Sequence, residues 1–367
     1  MVLRGIARRK VRSAITVGGV GLSASILMLA FYSLDATEEM MDVQFRLVER
    51  QDIYLAFHDE RGRKALHELR RVPGVRRAEP ELGVAVKLVN GRYSRRSGIT
   101  GLDPDHTLLA LLNDKLEHVP LPAEGLLLSS KLAELLHVGI GDELDVEVLT
   151  GRKQRFRVPV ENVTNEYLGV FAYAELGRLS RWIDEENILS GARLKIDKDR
   201  SVDIGRTLKN MPSVAAVSHK DRTVESFKAT LAESQSIMGT ILILFAGIIT
   251  FGVTYNTARI SLAERARELG SMRVLGFTNR EVQGVLEGEN VLLTCIALVP
   301  GIALGILFGW LLARLYDTDL FRFPFVIEMA SVLKTVLTVL VFTFLANLLV
   351  RRRVQKLDIV EVLKARE

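Results

Sequence analysis

Residues 237–255 read IMGTILILFAGIITFGVTY, a stretch without one charged side chain. Wound as an α-helix at about 1.5 Å per residue it spans close to the thickness of a bilayer's hydrocarbon core. Working outward, three more charge-poor runs of similar length occupy residues 14–34, 291–313 and 331–350. The buried core helix of a soluble protein is the competing explanation for any one of them. Four runs, each bordered by charge on the same expected side, favour spans instead. Cleavage motifs around residues 33–36 are poor, so the first run reads as an uncleaved anchor rather than a secretory signal.

The flanking charges orient these spans. Arg4, Arg8, Arg9, Lys10 and Arg12 precede the first run with no acid among them. Arg259, Arg265, Arg267, Arg273 and Arg280 lie between the second and third, and Arg351, Arg352, Arg353, Lys356, Lys364 and Arg366 follow the fourth. The segment between the third and fourth carries only Arg322 against Asp317, Asp319 and Glu328. Because basic residues in short flanks are retained inside, both termini and the loop 256–290 are expected to be cytoplasmic. The expected organisation is a basic segment and first span (1–34), an extracytoplasmic domain (35–236), spans two to four with their cytoplasmic loop (237–350), and a cytoplasmic tail (351–367). The fold class is therefore a multi-pass membrane protein: four transmembrane helices plus an α+β extracytoplasmic domain between the first and second.

The outer domain holds 30 basic and 33 acidic residues, a balance that suggests no nucleic-acid surface. Strand candidates fall at 52–57, 83–89, 193–196 and 214–217, with helices at 61–71, 129–136 and 202–209. Asn90-Gly91 predicts a hairpin turn, and 142–149 with 154–160 a second hairpin around Gly151-Arg152. The strand–helix–strand rhythm recurs on both sides of the domain and predicts a split or two-lobed body. Residues 35–50 and 223–236 are expected to be stalk helices continuing the first two spans. Gly18, Gly19, Gly21, Ser23, Ala24 and Ser25 in the first span fit either a close packing face or a glycine-tolerant anchor. Pro300 is expected to kink the third span, and Lys334 to snorkel from the outer end of the fourth.

Several chemistries are excluded or disfavoured. No glycine-rich phosphate loop with its lysine is present, so the chain should not hydrolyse ATP by itself. The six histidines, His58, His67, His106, His118, His137 and His219, lack metal-ligand spacing. Ser129-Ser130-Lys131 is read as a helix cap, since adjacent side chains on a helix do not face one another. Cys295 is the only cysteine and lies in an apolar run, which rules out an internal disulfide. The spans lack paired Asp, Glu or His near mid-membrane, arguing against an ion-coupled carrier.

The loop 258–282 is the informative stretch: ARISLAERARELGSMRVLGFTNREV. Ile260, Ala263, Arg267 and Gly270 recur at helical spacing, as do Leu269, Met272 and Arg273. Gly276 offers a helix stop, and Thr278 with Glu281 a capping box for the next helix. By physics alone a peripheral helix resting on lipid is as good a reading as a docking element. The sequence, however, resembles the signature of the FtsX-like permease superfamily, the membrane subunits of MacB-like (type VII) ABC transporters. Glu268, Leu269, Arg273, Leu275 and Gly276 match that pattern, with Glu289 opening the next span at the family spacing. Residues 3–16, the modules 124–129 and 138–144, and the tail 357–364 resemble the family too, although Ile359 stands where proline is usual.

The resemblance implies a permease subunit that couples ATP hydrolysis by a separate cytoplasmic ABC ATPase to export or extraction of a lipid, lipoprotein, peptide or antibiotic by mechanotransmission. It implies no catalytic residues, no metal and no directly bound cofactor, ATP being used by the partner. Glu264, Arg265, Arg267, Glu268, Leu269, Met272, Arg273, Leu275 and Gly276 would form or support the ATPase-docking surface. Further implied partners are a second permease copy or paralogue and an extracytoplasmic accessory protein. The expected location is the plasma (inner) membrane. The alternative is a non-transporting regulator that relays ATPase motion to an extracytoplasmic enzyme or sensor. Both a short single-unit permease and one half of a duplicated protein fit the sequence.

Overall fold

In a computed structural model of the protein, the described residues are 10–167, 169–185, 188–264, 271–272, 275–315, 318 and 322–354. The chain divides into two compact units. One comprises Met1–Glu38, Ala232–Leu315 and Phe325–Glu367; the other comprises Glu39–Leu231 and Tyr316–Pro324.

The first unit is helical. Helix α1 spans Lys10–Asp42 and ends in a π-helical turn, Val43–Val48. The later helices are α6 (Lys220–Glu264), α7 (Asn279–Leu315) and α8 (Met329–Val354). Each is long and apolar enough to cross a membrane, which makes the chain a multi-pass membrane protein with four spans. Their inner packing is set by small residues. A Cβ on Gly301 would lie 2.7 Å from the Gly21 carbonyl oxygen and 2.8 Å from Ala24 Cβ. At Gly305 it would meet Met28, and at Gly309 Tyr32. The Gly301–Gly305–Gly309 row of α7 thus receives one face of α1; of the first-span glycines, Gly21 packs on that row and Gly19 against Val253 of α6, whereas Gly18 has nothing within 4 Å. Val20, Ala24, Leu27, Ala246, Ala297, Leu298 and Val339 are buried together here. Residues such as Phe245, Val299 and Phe344 point outward, as apolar side chains do where lipid is the solvent.

Polar groups inside this bundle pair with one another. Thr16 meets Thr257 at 2.8 Å, Asn290 Nδ2 donates to Asn347 Oδ1 at 2.9 Å, and Ser331 donates to Asp35 at 2.8 Å. In hydrocarbon each of these would otherwise lack a partner. Lys334 Nζ stands 6.0 Å from the Phe31 ring centre, with its side chain exposed.

The second unit is the α+β extracytoplasmic domain. Its strands are β1 (Ile53–Gly62), β2 (Val75–Asn90), β3 (Tyr93–Leu102), β4 (Leu126–Ser129), β5 (Glu143–Val148), β6 (Arg155–Thr164), β7 (Phe171–Glu175), β8 (Ile188–Ile196) and β9 (Val214–His219). Four short helices accompany them: α2 (Lys64–Arg70), α3 (Ser130–Leu136), α4 (Leu176–Trp182) and α5 (Ser201–Lys209). The strands form one sheet in the order β3-β7-β4-β6-β5-β2-β8-β1-β9, with β3 pairing also with β2. That extra pairing closes six strands, β2 to β7, into a ring. The remaining order β2-β8-β1-β9 is all antiparallel and is crossed by α2 and α5. It is a split β-α-β arrangement with the ring inserted between its halves.

The recurring rhythm in the sequence is therefore real, but the two lobes share a strand. β2 is long enough to serve both: its first half pairs with β8 and its second with β3 and β5. The hairpin at Asn90 forms with Gly91 at φ +54°, and Glu143–Val148 pairs with Arg155–Pro159 as the second hairpin. One local expectation needs correction. Ser129 precedes α3, but its hydroxyl makes no cap; it accepts the Phe171 N–H at 3.2 Å instead. A neighbouring strand edge outcompeted the helix end.

Candidate functional site

The predicted coupling loop begins where α6 ends. At that end of the helical unit, Arg12 joins three helices. Its Nη1 donates to Glu264 Oε2 at 2.9 Å, and its Nη2 donates to Ser261 Oγ and to Glu289 Oε1, the latter at 3.1 Å. Glu289 is almost wholly buried, with its side chain 2% exposed, whereas Glu264 is 44% exposed. A carboxylate so enclosed needs a cation, and the guanidinium fork supplies one while its second arm remains for α6. The start of α1, the end of α6 and the first turns of α7 are thereby pinned at a single point.

Beyond the junction the chain turns back. Leu275 N–H donates to Ser271 O at 3.0 Å and Phe277 N–H to Met272 O at 3.1 Å, closing a helix end around Gly276 at φ +98°. The left-handed conformation is one that glycine alone adopts freely. Next comes the expected capping box. Thr278 N–H and Oγ1 each donate to Glu281 Oε2 at 2.8 Å, and Glu281 N–H returns to Thr278 Oγ1 at 3.4 Å. The Thr278 N–H, then its hydroxyl, hold the Glu281 carboxyl below its usual range. Met272 packs with Tyr255, Ala258, Leu262 and Val350. Leu275 and Phe277, by contrast, stand 77% and 44% exposed on either side of Gly276.

The predicted site residues therefore separate. Glu264 and Glu289 meet at Arg12; Met272 faces inward; Leu275 and Gly276 lie at the exposed break. Arg265, Arg267, Glu268, Leu269 and Arg273 lie outside the described residues. Sequence reasoning missed Arg12 as the common partner, counting it only among orienting charges. The signal available was a buried-span glutamate, Glu289, that required a cation. Among the described residues no group of three His, Cys, Asp or Glu side chains could hold a metal ion.

Four apolar helices, an outer sheet domain between the first and second, and a structured turn between the second and third define a multi-pass membrane architecture. Residues 240–359 match the family described as FtsX-like permease C-terminal. Among solved structures, it is similar to the extracellular domain of the noncanonic ABC-type transporter YknZ from Gram-positive bacteria. That match has 16% identity, covers 46% of this chain and 98% of that one, and has a TM-score of 0.32. It is also similar to the periplasmic region of MacB from Actinobacillus actinomycetemcomitans, at 12% identity, 51% and 97% coverage, and a TM-score of 0.35. Comparison with curated proteins found no match.

Proposed function

We propose that this permease couples a separate cytoplasmic ABC ATPase to mechanical work on a lipid, lipoprotein, peptide or antibiotic outside the membrane. The observation that carries the reading is the exposed apolar pair Leu275 and Phe277, held on the Gly276 break between a closed helix end and a capping box. Exposed apolar side chains on a conformationally fixed turn suit a partner's groove, because little ordering entropy opposes docking. Arg265, Arg267, Glu268 and Arg273 would add charge to the rim and orient the partner. Both termini and this loop are cytoplasmic in this reading, as the basic flanks favour, and the membrane is the plasma (inner) membrane. The Arg12 junction lies directly behind the turn in sequence, through Glu264 and Glu289, so a push on the turn reaches α1, α6 and α7 together.

The test is co-purification from membranes with a co-expressed cytoplasmic ABC ATPase, followed by ATP-dependent substrate release or activation of an outer partner. Leu275→Asp and Phe277→Asp should each weaken ATPase capture by at least about tenfold, since each removes an apolar contact worth roughly 1.5–3 kcal/mol when buried. Reversing charge at Arg267 and Glu268 together should also weaken it. Unchanged capture and coupled activity in all of these variants would overturn the assignment.

A further inference from the structure

Where β9 runs into α6, the outer domain carries a groove of about 510 Å³. Its lining sets Lys209, His219 and Arg222 beside two half-buried apolar side chains, Val217 and Phe227. No carboxylate is among the lining residues. That is unusual in a domain whose charges nearly balance. Arg206, three residues before Lys209, pairs with Asp203 at 3.6 Å, but among the described residues Lys209 and Arg222 make no ion pair. The threonine hydroxyls of the groove are already engaged with the backbone. Thr223 Oγ1 donates to His219 O at 3.2 Å and Thr230 Oγ1 to Ser226 O at 2.9 Å. The ammonium and the guanidinium remain as the strongest donors.

The positive field registers on His219. Its ring seats against Gly205 of α5, with Nδ1 3.4 Å from Ser201 Oγ. Burial first, then Arg222 and Lys209, push this imidazole below its ordinary pKa of 6.5, with Asp221 opposing. An anion in the groove would offset that repulsion and let the ring take up its proton more readily. Beside the cations, Phe227 leans on Phe45 of the π-turn, with 6.2 Å between ring centres, and so presents an apolar surface that is held in place. A bare inorganic anion would leave Phe227 and Val217 in water, and an uncharged apolar molecule would leave the cations without a counter-charge. A charged head joined to an apolar body satisfies both halves of the lining.

We propose that this groove binds an anionic amphiphile, its phosphate, sulfate or carboxylate head held by Lys209 and Arg222 and its apolar body lying along Phe227 and Val217. The site goes beyond the ATPase-coupling reading and does not depend on it.

The test uses the full chain in phosphatidylcholine nanodiscs, without ATPase, titrated calorimetrically with empty discs as the blank. The probes are hexyl sulfate, whose charge is constant across the histidine range, inorganic sulfate and hexanol. Hexyl sulfate should bind at least about tenfold more tightly than either of the others, and Lys209→Ala with Arg222→Ala should remove that advantage. Both positions are exposed, so the unfolding temperature should stay unchanged. Equal binding of inorganic sulfate refutes the apolar half of the site, and equal binding of hexanol refutes the anionic half. An unchanged titration in the double variant refutes the groove itself. Affinity for hexyl sulfate should rise by about threefold as pH falls through the His219 titration, and His219→Gln should flatten that slope. A slope retained in His219→Gln excludes the histidine from the site. Hydrogen exchange across residues 217–230, with and without phosphatidylglycerol in the discs and no probe, separates the two sources of such a head. Protection by phosphatidylglycerol assigns it to a bilayer lipid; its absence, with hexyl sulfate still binding, assigns it to a soluble amphiphile.

Discussion

The outer domain contains a carboxyl whose charge should set its stability against pH. Glu166 is buried beside Tyr173, whose hydroxyl hydrogen-bonds to it, with Arg193 and Glu49 also near. Burial, reinforced by Glu49 and opposed by Tyr173 and Arg193, pushes Glu166 up from 4.5 to about 7. Arg193 does little to relieve it because that guanidinium is already committed to Glu81 Oε2 at 2.6 Å. A carboxyl raised this way binds its proton more tightly folded than unfolded. Its stabilising contribution is complete below pH about 4.5 and is lost as pH rises through about 7. The difference amounts to about 3 kcal/mol at pH 8. Glu166→Gln keeps an acceptor for the Tyr173 hydroxyl without a titratable proton. The variant should match the wild type at pH 4.5 and exceed it by up to about 3 kcal/mol at pH 8, or roughly 6–12 °C in unfolding temperature for a domain of this size. Trp182, stacked on Phe156 in this domain, reports its unfolding by fluorescence once Trp310 is replaced by phenylalanine. Parallel pH–stability curves for Glu166→Gln and wild type between pH 4.5 and 8 would refute the argument.

Three further substitutions probe the helical unit. Arg12→Ala removes the guanidinium facing buried Glu289 and should destabilise the bundle by about 3 kcal/mol, seen as a lower unfolding temperature in detergent; Arg12→Ala, Glu289→Gln together should recover much of the loss, and no recovery would count against the pairing. Gly301→Val should disrupt packing of α1 on α7, because its Cβ falls 2.7 Å from the Gly21 carbonyl oxygen, whereas Gly18→Ala, with nothing within 4 Å, should be neutral in the same melting assay. Gly276→Ala should cost about 1–2 kcal/mol of local conformational energy at φ +98° and weaken ATPase capture, and equal capture by this variant would show that the break need not be held left-handed.

What was legible in the sequence follows from how local each signal is. The four spans were readable because hydrocarbon imposes its requirement on every residue of a run at once. Gly276 and the Thr278–Glu281 capping box were readable because their partners are three residues apart. Arg12 with Glu289, by contrast, is a pair separated by 277 positions, and no local pattern announces it. The same holds for β4 and β7, short strands whose neighbours lie across the sheet; β4, fully buried, reads only as a short apolar run, LLLS. Closure of the ring through β2 and β3 could not be seen either, since a hairpin alone does not say that its second strand also joins a parallel partner, β7.

That closure bears on how force can pass through the protein. A sheet with two free ends could yield by fraying, but six strands in a ring have no free edge among themselves, and local opening there must break several ladders together. The β1 and β9 side is different: β9 is an edge strand, and it leads straight into α6. If helix motion pulls on both lobes, the softer response should come at the edge-bearing half and at β2, where pairing passes from β8 to β5 and β3. Glu81 lies at that changeover, paired in register with Gly191 of β8 and Leu102 of β3, and its carboxylate holds Arg193. The strand shared by the two lobes is thus reinforced by a buried ion pair. Because removing one partner would leave the other charge buried and unpaired, the pair ties β8 to β2 in this register.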